Sequence, residues 1–127
     1  MDLRSSHFHN SSLALLRAGA TWDGGYGDAL CRCIAKAHEF GARALVVSLG
    51  VDTLKGDPVA TNGAGFGLEL GVGASGTACS DFLQIGACLR GANLPTVFVQ
   101  EGGYDMDRLG RAVADVLTGF CDPTTVV

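Results

Sequence analysis

Two short apolar runs constrain the fold of this chain more than any other feature of its sequence. Residues 44–49 form a nearly continuous apolar run between glycines, and residues 96–100 form a second run that follows Pro95. A run without polar alternation, as in residues 44–49, is typical of a strand that a parallel sheet buries on both faces. Each run therefore predicts a strand, and the two strands should pair in parallel through a right-handed crossover.

Three further patterns predict helices around these strands. The first covers residues 26–40, where Gly41 should end the helix, and the second covers residues 81–90, between an N-cap at Ser80 and a stop at Gly91. Asp105 is positioned to cap a third helix. Its apolar residues recur at helical spacing, at Met106, Leu109, Val113, Val116, Leu117 and Phe120. The order helix, strand, helix, strand, helix indicates an α/β fold.

The length of 127 residues fits one domain, which divides into an irregular N-terminal segment (residues 1–25), an α/β unit (26–121) and a tail (122–127). Hydrophobic residues make up 47% and charged residues 17%, so the chain is too apolar to be disordered. A formal charge of -4 without a basic run argues against nucleic-acid binding, and no apolar stretch is long enough to span a membrane. We expect a cytoplasmic protein, or a nuclear one in a eukaryote.

The cysteines and histidines give little sign of a metal site. Five cysteines without a C-x-x-C motif indicate reduced thiols, and most have apolar neighbours that predict burial. On a helix, the thiols of Cys31 and Cys33 point about 200° apart, which prevents them from holding one metal ion. His7 and His9 lie near the N-terminus, and His38 falls on the first helix. None of these histidines is favoured as a ligand.

Reactive side chains follow both predicted strands. Asp52 and Asp57 come after the first strand, and the Glu-Gly-Gly-Tyr segment at 101–104 follows the second. Ligands bind outside the carboxyl ends of strands in open α/β sheets, so a carboxylate and a phenol can face one pocket there. The carboxylate would act as a metal ligand or base, and the phenol as a donor to a developing oxyanion. The alternative is structural, with the aspartates in turns or caps and the glycines in a plain turn.

A glycine-rich segment offers a competing interpretation. Residues 71–76 match the G-x-G-x-x-G pattern of a dinucleotide-binding turn and precede a predicted helix. However, residues 65–70 before them are a poor candidate for a buried strand, and six glycines among residues 63–76 produce such a pattern by chance. A dinucleotide-binding domain is therefore the weaker alternative.

The two strand ends together resemble the C-terminal part of the histone deacetylase and acetylpolyamine amidohydrolase family. The similarity rests on residues 45–58 and 94–104, and it extends over residues 20–120. The Glu-Gly-Gly-Tyr form favours the acetylpolyamine amidohydrolase branch, since many histone deacetylases have Gly-Gly-Gly-Gly-Tyr instead. The resemblance implies an arginase-like α/β fold, with a parallel sheet and flanking helices, and zinc-dependent hydrolysis of N-acetyl amides.

The resemblance also implies roles for individual residues. Asp52 matches a zinc ligand of the family, and Tyr104 matches the catalytic tyrosine that donates a hydrogen bond to the substrate carbonyl. The matches along the substrate channel are Gly102, Gly103, Asp57, Pro58 and Val59. The implied substrate is an acetylated amine or acetyl-lysine.

Two motifs of the family's active site are absent from this sequence. The chain contains neither the Asp-x-His motif that supplies two further zinc ligands nor the His-His pair that acts as general base and acid, and residues 62–80 depart from the family pattern. Because catalytic zinc takes three protein ligands, we expect the C-terminal portion of a zinc-dependent deacetylase, inactive alone, or a non-catalytic α/β module. An exposed sheet edge should then favour association.

Overall fold

The computed structural model describes residues 19–59, 66–71 and 79–125. A kinked turn at Trp22–Tyr26, in which Gly25 has φ +115°, leads into helix α1 (Gly27–Glu39). Strand β1 (Leu45–Leu49) is followed by a 3₁₀ turn at Val51–Thr53. The remaining elements are helix α2 (Asp81–Gly91), strand β2 (Thr96–Gln100) and helix α3 (Leu109–Cys121). All three predicted helices and both predicted strands are thus confirmed, with ends that differ by a few residues.

The two strands pair in parallel, as predicted, with Leu45 opposite Thr96 and Leu49 opposite Gln100. Along the chain, helix α2 lies between the two strands and helix α3 follows β2, so helices and strands alternate as in an α/β fold. The hydrogen-bonded ladder continues one step beyond β2, where the amide of Glu101 donates to the carbonyl oxygen of Leu49 at 3.1 Å. This last bond holds together the two loops that leave the carboxyl ends of the strands.

Burial of β1 on both faces, which its apolar run predicted, is wrong for this structure. Val47 and Phe98 face the core, where the Phe98 ring meets Phe120 edge-on at 5.1 Å between ring centroids. On the opposite face, Val46 is 76% exposed and Val97 is 59% exposed. The physical reason is that no segment within residues 19–59, 66–71 and 79–125 packs over that face.

The helix ends follow the predicted capping chemistry at Ser80 and Gly41 and depart from it at Gly91 and Asp105, since the N-cap position of α3 is Arg108. The Ser80 hydroxyl accepts from the amide of Phe82 at 3.2 Å, and Gly41 adopts φ +79° after α1. Gly91, predicted to stop α2, is the last residue of the helix, and Asn93 at φ +51° takes the left-handed conformation instead. Met106, predicted on the apolar stripe of α3, precedes that helix and is 79% exposed. Leu117, on the same predicted stripe, is also exposed.

Helices α2 and α3 pack with their backbones almost in contact. A Cβ atom built on Gly86 would lie 2.0 Å from the carbonyl oxygen of Val116, and one on Gly119 would lie 2.0 Å from that of Leu83. Among the described residues, the largest fully buried apolar side chains are Phe82, Leu54, Leu68, Val51 and Val116. The core therefore lies under the helices and against one face of the sheet.

The cysteines are not buried as their neighbours predicted. Cys31, Cys33 and Cys121 are exposed, whereas Cys79 and Cys88 are half-buried, and all five are free thiols. The reason is that α1 turns Leu30 and Ile34, rather than its thiols, toward the core. None of the described helices is long and apolar enough to cross a membrane.

Candidate active site

Asp52 occupies the point where the two strand-end loops meet. It lies on the 3₁₀ turn just after β1 and is half-buried. A Cβ atom on Gly102 would lie 3.3 Å from the Asp52 carboxyl carbon, and one on Gly50 would lie 2.9 Å from its Oδ1 atom. The backbone after β2 thus runs directly along the Asp52 carboxylate, as the order of strands and motifs predicted.

The two glycines at 102 and 103 are required by conformation and by space. Gly102 has φ +89° and Gly103 has φ +107°, a region that favours glycine. A Cβ atom on Gly103 would also lie 2.4 Å from the Cγ2 atom of Val51 and 2.9 Å from the Cδ1 atom of Leu109. Larger residues would push this loop away from the turn that carries Asp52.

Asp57 joins the two loops through hydrogen bonds to backbone amides. Its side chain is 1% exposed, and its Oδ2 atom accepts from the amides of Tyr104 at 2.7 Å and Asp105 at 3.2 Å. Its Oδ1 atom accepts from the amide of Val59 at 3.0 Å. Pro58 and Val59 beside it are exposed. The carboxylate faces the backbone, whereas the channel role that the resemblance implied for these three residues stays a prediction.

Tyr104 is presented at the surface by this fixed backbone. Its side chain is 49% exposed. The next residue, Asp105, accepts from the amide of Arg108 at 3.1 Å and from its Nε atom at 2.7 Å, and this guanidinium holds the pKa of the Asp105 carboxyl below its usual range. Asp105 therefore stabilises the turn that leads into α3, whereas its predicted role as the N-cap of that helix is wrong, since the N-cap position is Arg108.

Tyr26 is a candidate site residue that sequence reasoning did not select. Burial raises the pKa of its phenol, and the negative charges of Asp52 and Cys33 raise it further. Its ring meets Phe66 edge-on, with 5.9 Å between ring centroids. The signal was present in the sequence, since residues 24–26 repeat the Gly-Gly-Tyr triplet of residues 102–104.

The described residues supply one candidate zinc ligand and do not complete a zinc site. Within the described ranges, no group of three His, Cys, Asp or Glu side chains is placed to hold a metal ion. His38 is exposed on α1, and His7 and His9 lie outside the described residues. A catalytic zinc needs three protein ligands, so the half-buried Asp52 carboxylate fits as a contributor to a larger set.

The competing dinucleotide interpretation gains nothing from the structure. A dinucleotide-binding turn needs a strand that leads directly into its glycines. Residues 66–71 contain an isolated bridge from Leu68 to Leu54 and no strand, and residues 72–78 lie outside the described residues.

Comparison with known proteins agrees with the strand-end motifs. A family model for the histone deacetylase domain matches residues 5–120. Acetylpolyamine amidohydrolase 2 of Pseudomonas aeruginosa is 36% identical over 105 residues, which cover 83% of this chain and 26% of the relative. Acetylpolyamine amidohydrolase of Mycoplana ramosa is 35% identical over 94 residues, which cover 74% of this chain and 24% of the relative.

A solved structure extends the similarity to the fold. The crystal structure of acetylpolyamine aminohydrolase from Burkholderia pseudomallei superimposes with a TM-score of 0.61 and 26% sequence identity, covering 81% of this chain and 26% of that one. The chain thus spans about a quarter of the length of these relatives. Its parallel strands and flanking helices belong to the arginase-like α/β fold that the resemblance implied, and the chain is a member of the histone deacetylase domain family.

Proposed function

We propose that this chain contributes Asp52 and Tyr104 to the active site of a zinc-dependent amidohydrolase, which removes acetyl groups from acetylated amines of the polyamine type or from acetyl-lysine. The observation that supports this most directly is the passage of Gly102 along the Asp52 carboxylate, two residues before Tyr104. Relatives named acetylpolyamine amidohydrolases support the acetylated amine as substrate.

In this proposal the chain's own residues bind and orient. Asp52 would be one of three protein ligands of a zinc ion, which would supply Lewis acidity toward the acetyl carbonyl. The Tyr104 phenol donates a hydrogen bond to the oxygen on which negative charge develops. Asp57 holds the amide of Tyr104 and so limits the positions that the phenol can occupy.

The isolated chain should be inactive, because it offers one carboxylate where three ligands are needed and has no His-His pair. We expect calorimetry to show weak zinc binding and an amine-release assay to show no hydrolysis of an acetylated diamine or an acetyl-lysine peptide. Stoichiometric zinc with measurable turnover would contradict this part of the proposal.

A chimera tests the roles of the two residues. Residues of this chain would replace the matching quarter of the Mycoplana ramosa enzyme, and folding would be checked by circular dichroism. We expect a zinc-containing chimera that hydrolyses an acetylated polyamine. The Tyr104→Phe variant should keep its zinc and lose about 10²- to 10³-fold in kcat, whereas Asp52→Asn should lose zinc.

The exposed Asp107→Asn substitution is a matched control and should change neither zinc content nor kcat. A folded chimera that binds zinc without turnover would contradict the proposal and support the alternative, a non-catalytic α/β module.

A further inference from the structure

Two thiols from different helices lie in contact outside the candidate active site. Cys31 on α1 and Cys88 on α2 are 57 positions apart in the sequence, and their Sγ atoms are 3.4 Å apart. A disulfide bond is about 2.05 Å long. The two sulfurs are therefore about 1.4 Å farther apart than bonded sulfurs, which places them as neighbours that can react with each other.

The thiol pair lies where α1 meets the rest of the fold, and this junction is lightly packed. Helix α1 buries two small residues, Gly27 and Ala29, and touches the core through the half-buried Leu30 and Ile34. Helix α2 instead buries five residues, Phe82, Ile85, Gly86, Ala87 and Leu89. A covalent bond from α1 to α2 would therefore reinforce the less strongly held helix.

We propose that Cys31 and Cys88 form a redox-active thiol pair, which peroxide converts into a disulfide that fastens α1 to α2. Cys31 is exposed and meets the oxidant first. Burial, and then the neighbouring Cys31 sulfur, raises the pKa of the Cys88 thiol to about 12. Cys88 therefore keeps its proton at neutral pH, and its position beside the Cys31 sulfur, rather than its acidity, makes it the resolving thiol.

The reaction balances in two steps. The Cys31 sulfur gives up its proton and attacks one oxygen of hydrogen peroxide. The O–O bond breaks, a sulfenic acid remains on Cys31, and the other oxygen leaves with the proton as one water. The Cys88 sulfur then displaces the hydroxyl group, which leaves as a second water with the Cys88 proton. Two thiols and one peroxide become one disulfide and two waters, so both sulfurs are oxidised and the peroxide is reduced.

Pairing within the chain should be selective. Cys33 shares α1 with Cys31 but points about 200° away along the helix, and Cys121 is exposed at the end of α3. Neither is placed against Cys88 as Cys31 is. Cys33 is therefore the natural control for Cys31, since it is an exposed thiol on the same helix.

The test is peroxide treatment of the full chain at low protein concentration, followed by intact mass, peptide mapping without reductant and thermal melting. We expect a mass loss of about 2 Da, a peptide that joins Cys31 to Cys88, and a Tm rise of about 5 °C or more that dithiothreitol reverses. Cys33→Ser should keep all three effects, whereas Cys31→Ser should lose them.

Cys31→Ser is the decisive variant, because Cys31 is exposed and its replacement disturbs the fold less than replacement of the half-buried Cys88. Its thermal melting under reducing conditions checks that the variant is folded. The proposal is overturned if wild type and Cys31→Ser respond alike to peroxide, if the thiols stop at sulfenic acid, or if the bridges join separate chains through Cys33 or Cys121. None of these readouts depends on hydrolytic activity, so the result is independent of the proposed function.

Discussion

At the scale of single residues, two aspartates that follow the same strand have different environments. The Asp57 carboxylate is 1% exposed and accepts three backbone amides, which compensates the cost of its burial. Asp52 is half-buried, and the backbone at Gly50 and Gly102 passes close to its carboxylate. The first arrangement stabilises a loop, and the second leaves a carboxylate accessible for a ligand.

Replacing Asp57 by asparagine should separate its structural role from its charge. The amide group of asparagine would turn a donor toward backbone amides that are themselves donors, at Tyr104 or Val59. We expect a loss of about 2 kcal/mol in the free energy of unfolding, measured by urea denaturation. The control Asp107→Asn, on an exposed residue of the following turn, should change stability by less than about 0.5 kcal/mol. Equal effects of the two variants would contradict the role of Asp57.

The ionisation of Tyr26 reports on the charge of Asp52. The chain has two tyrosines, so Tyr104→Phe leaves Tyr26 alone to titrate. Burial and the negative Asp52 raise the pKa of Tyr26 above 10.0, because both disfavour the phenolate. Adding Asp52→Asn removes the negative charge and should lower this pKa, while burial keeps it above its ordinary value.

Alkaline titration, followed by the ultraviolet absorbance of tyrosinate, measures this shift. Asp28→Asn in the same background is the control, since Asp28 is exposed on α1 and is not among the groups that raise the Tyr26 pKa. If the Tyr26 pKa is the same with and without Asp52→Asn, the two side chains do not share the site.

At the scale of elements, the contact between α2 and α3 depends on glycine. Gly86 and Gly119 let the two backbones approach so closely that a Cβ atom on either would overlap a carbonyl oxygen of the other helix. Arg90 on α2 adds polar contacts at the end of α3, where its guanidinium donates to the carbonyls of Gly119 at 2.7 Å and Thr125 at 2.6 Å, and also to that of Asp122. These contacts stabilise the helix pair over the core.

Two alanine substitutions on the same helix should therefore have opposite effects. Gly119→Ala should cost about 3 kcal/mol or more, because neither backbone can move away without opening the core. Gly110→Ala has open space and should gain about 0.5 to 1 kcal/mol from the higher helix propensity of alanine. Denaturant unfolding measures both, and a stable Gly119→Ala protein would contradict the close helix contact.

At the scale of the whole molecule, the uncovered face of the sheet is the main exposed apolar surface on the described strands. Val46, Val97 and Val99 project from it, and two strands leave two free edges. Exposed apolar faces and unpaired strand edges promote association between chains.

We expect the chain to associate increasingly with concentration, and the double variant Val46→Thr, Val97→Thr to remain closer to a monomer. Sedimentation velocity over a range of concentrations measures this. Val59→Thr changes an exposed valine outside the strands and should leave association unchanged. Identical behaviour of the two variants would rule out the sheet face as the cause.

The sequence predicted the features that depend on neighbours along the chain. The strand at residues 96–100, the Ser80 cap and the meeting of Asp52 with the Gly102 loop all follow from local pattern and strand order. The pattern could not show that one face of β1 lies open, because a run such as residues 44–49 assumes a covering layer that the described residues do not contain. The contact of Cys31 with Cys88 depends on how two helices pack, which neither helix encodes alone.

The hydrogen bonds of Asp57 limit how the tyrosine loop can be transplanted or changed. The loop that presents Tyr104 is fastened to a carboxylate 47 positions earlier, on the loop that leaves the other strand. A graft of residues 101–104 alone into another protein should therefore fail to position Tyr104, since it would leave behind the Asp57 carboxylate that holds the loop in place. Insertions or deletions between Asp52 and Asp57 should be as damaging to a working site as changes in the tyrosine loop itself, because the Asp57 carboxylate ties the two loops together.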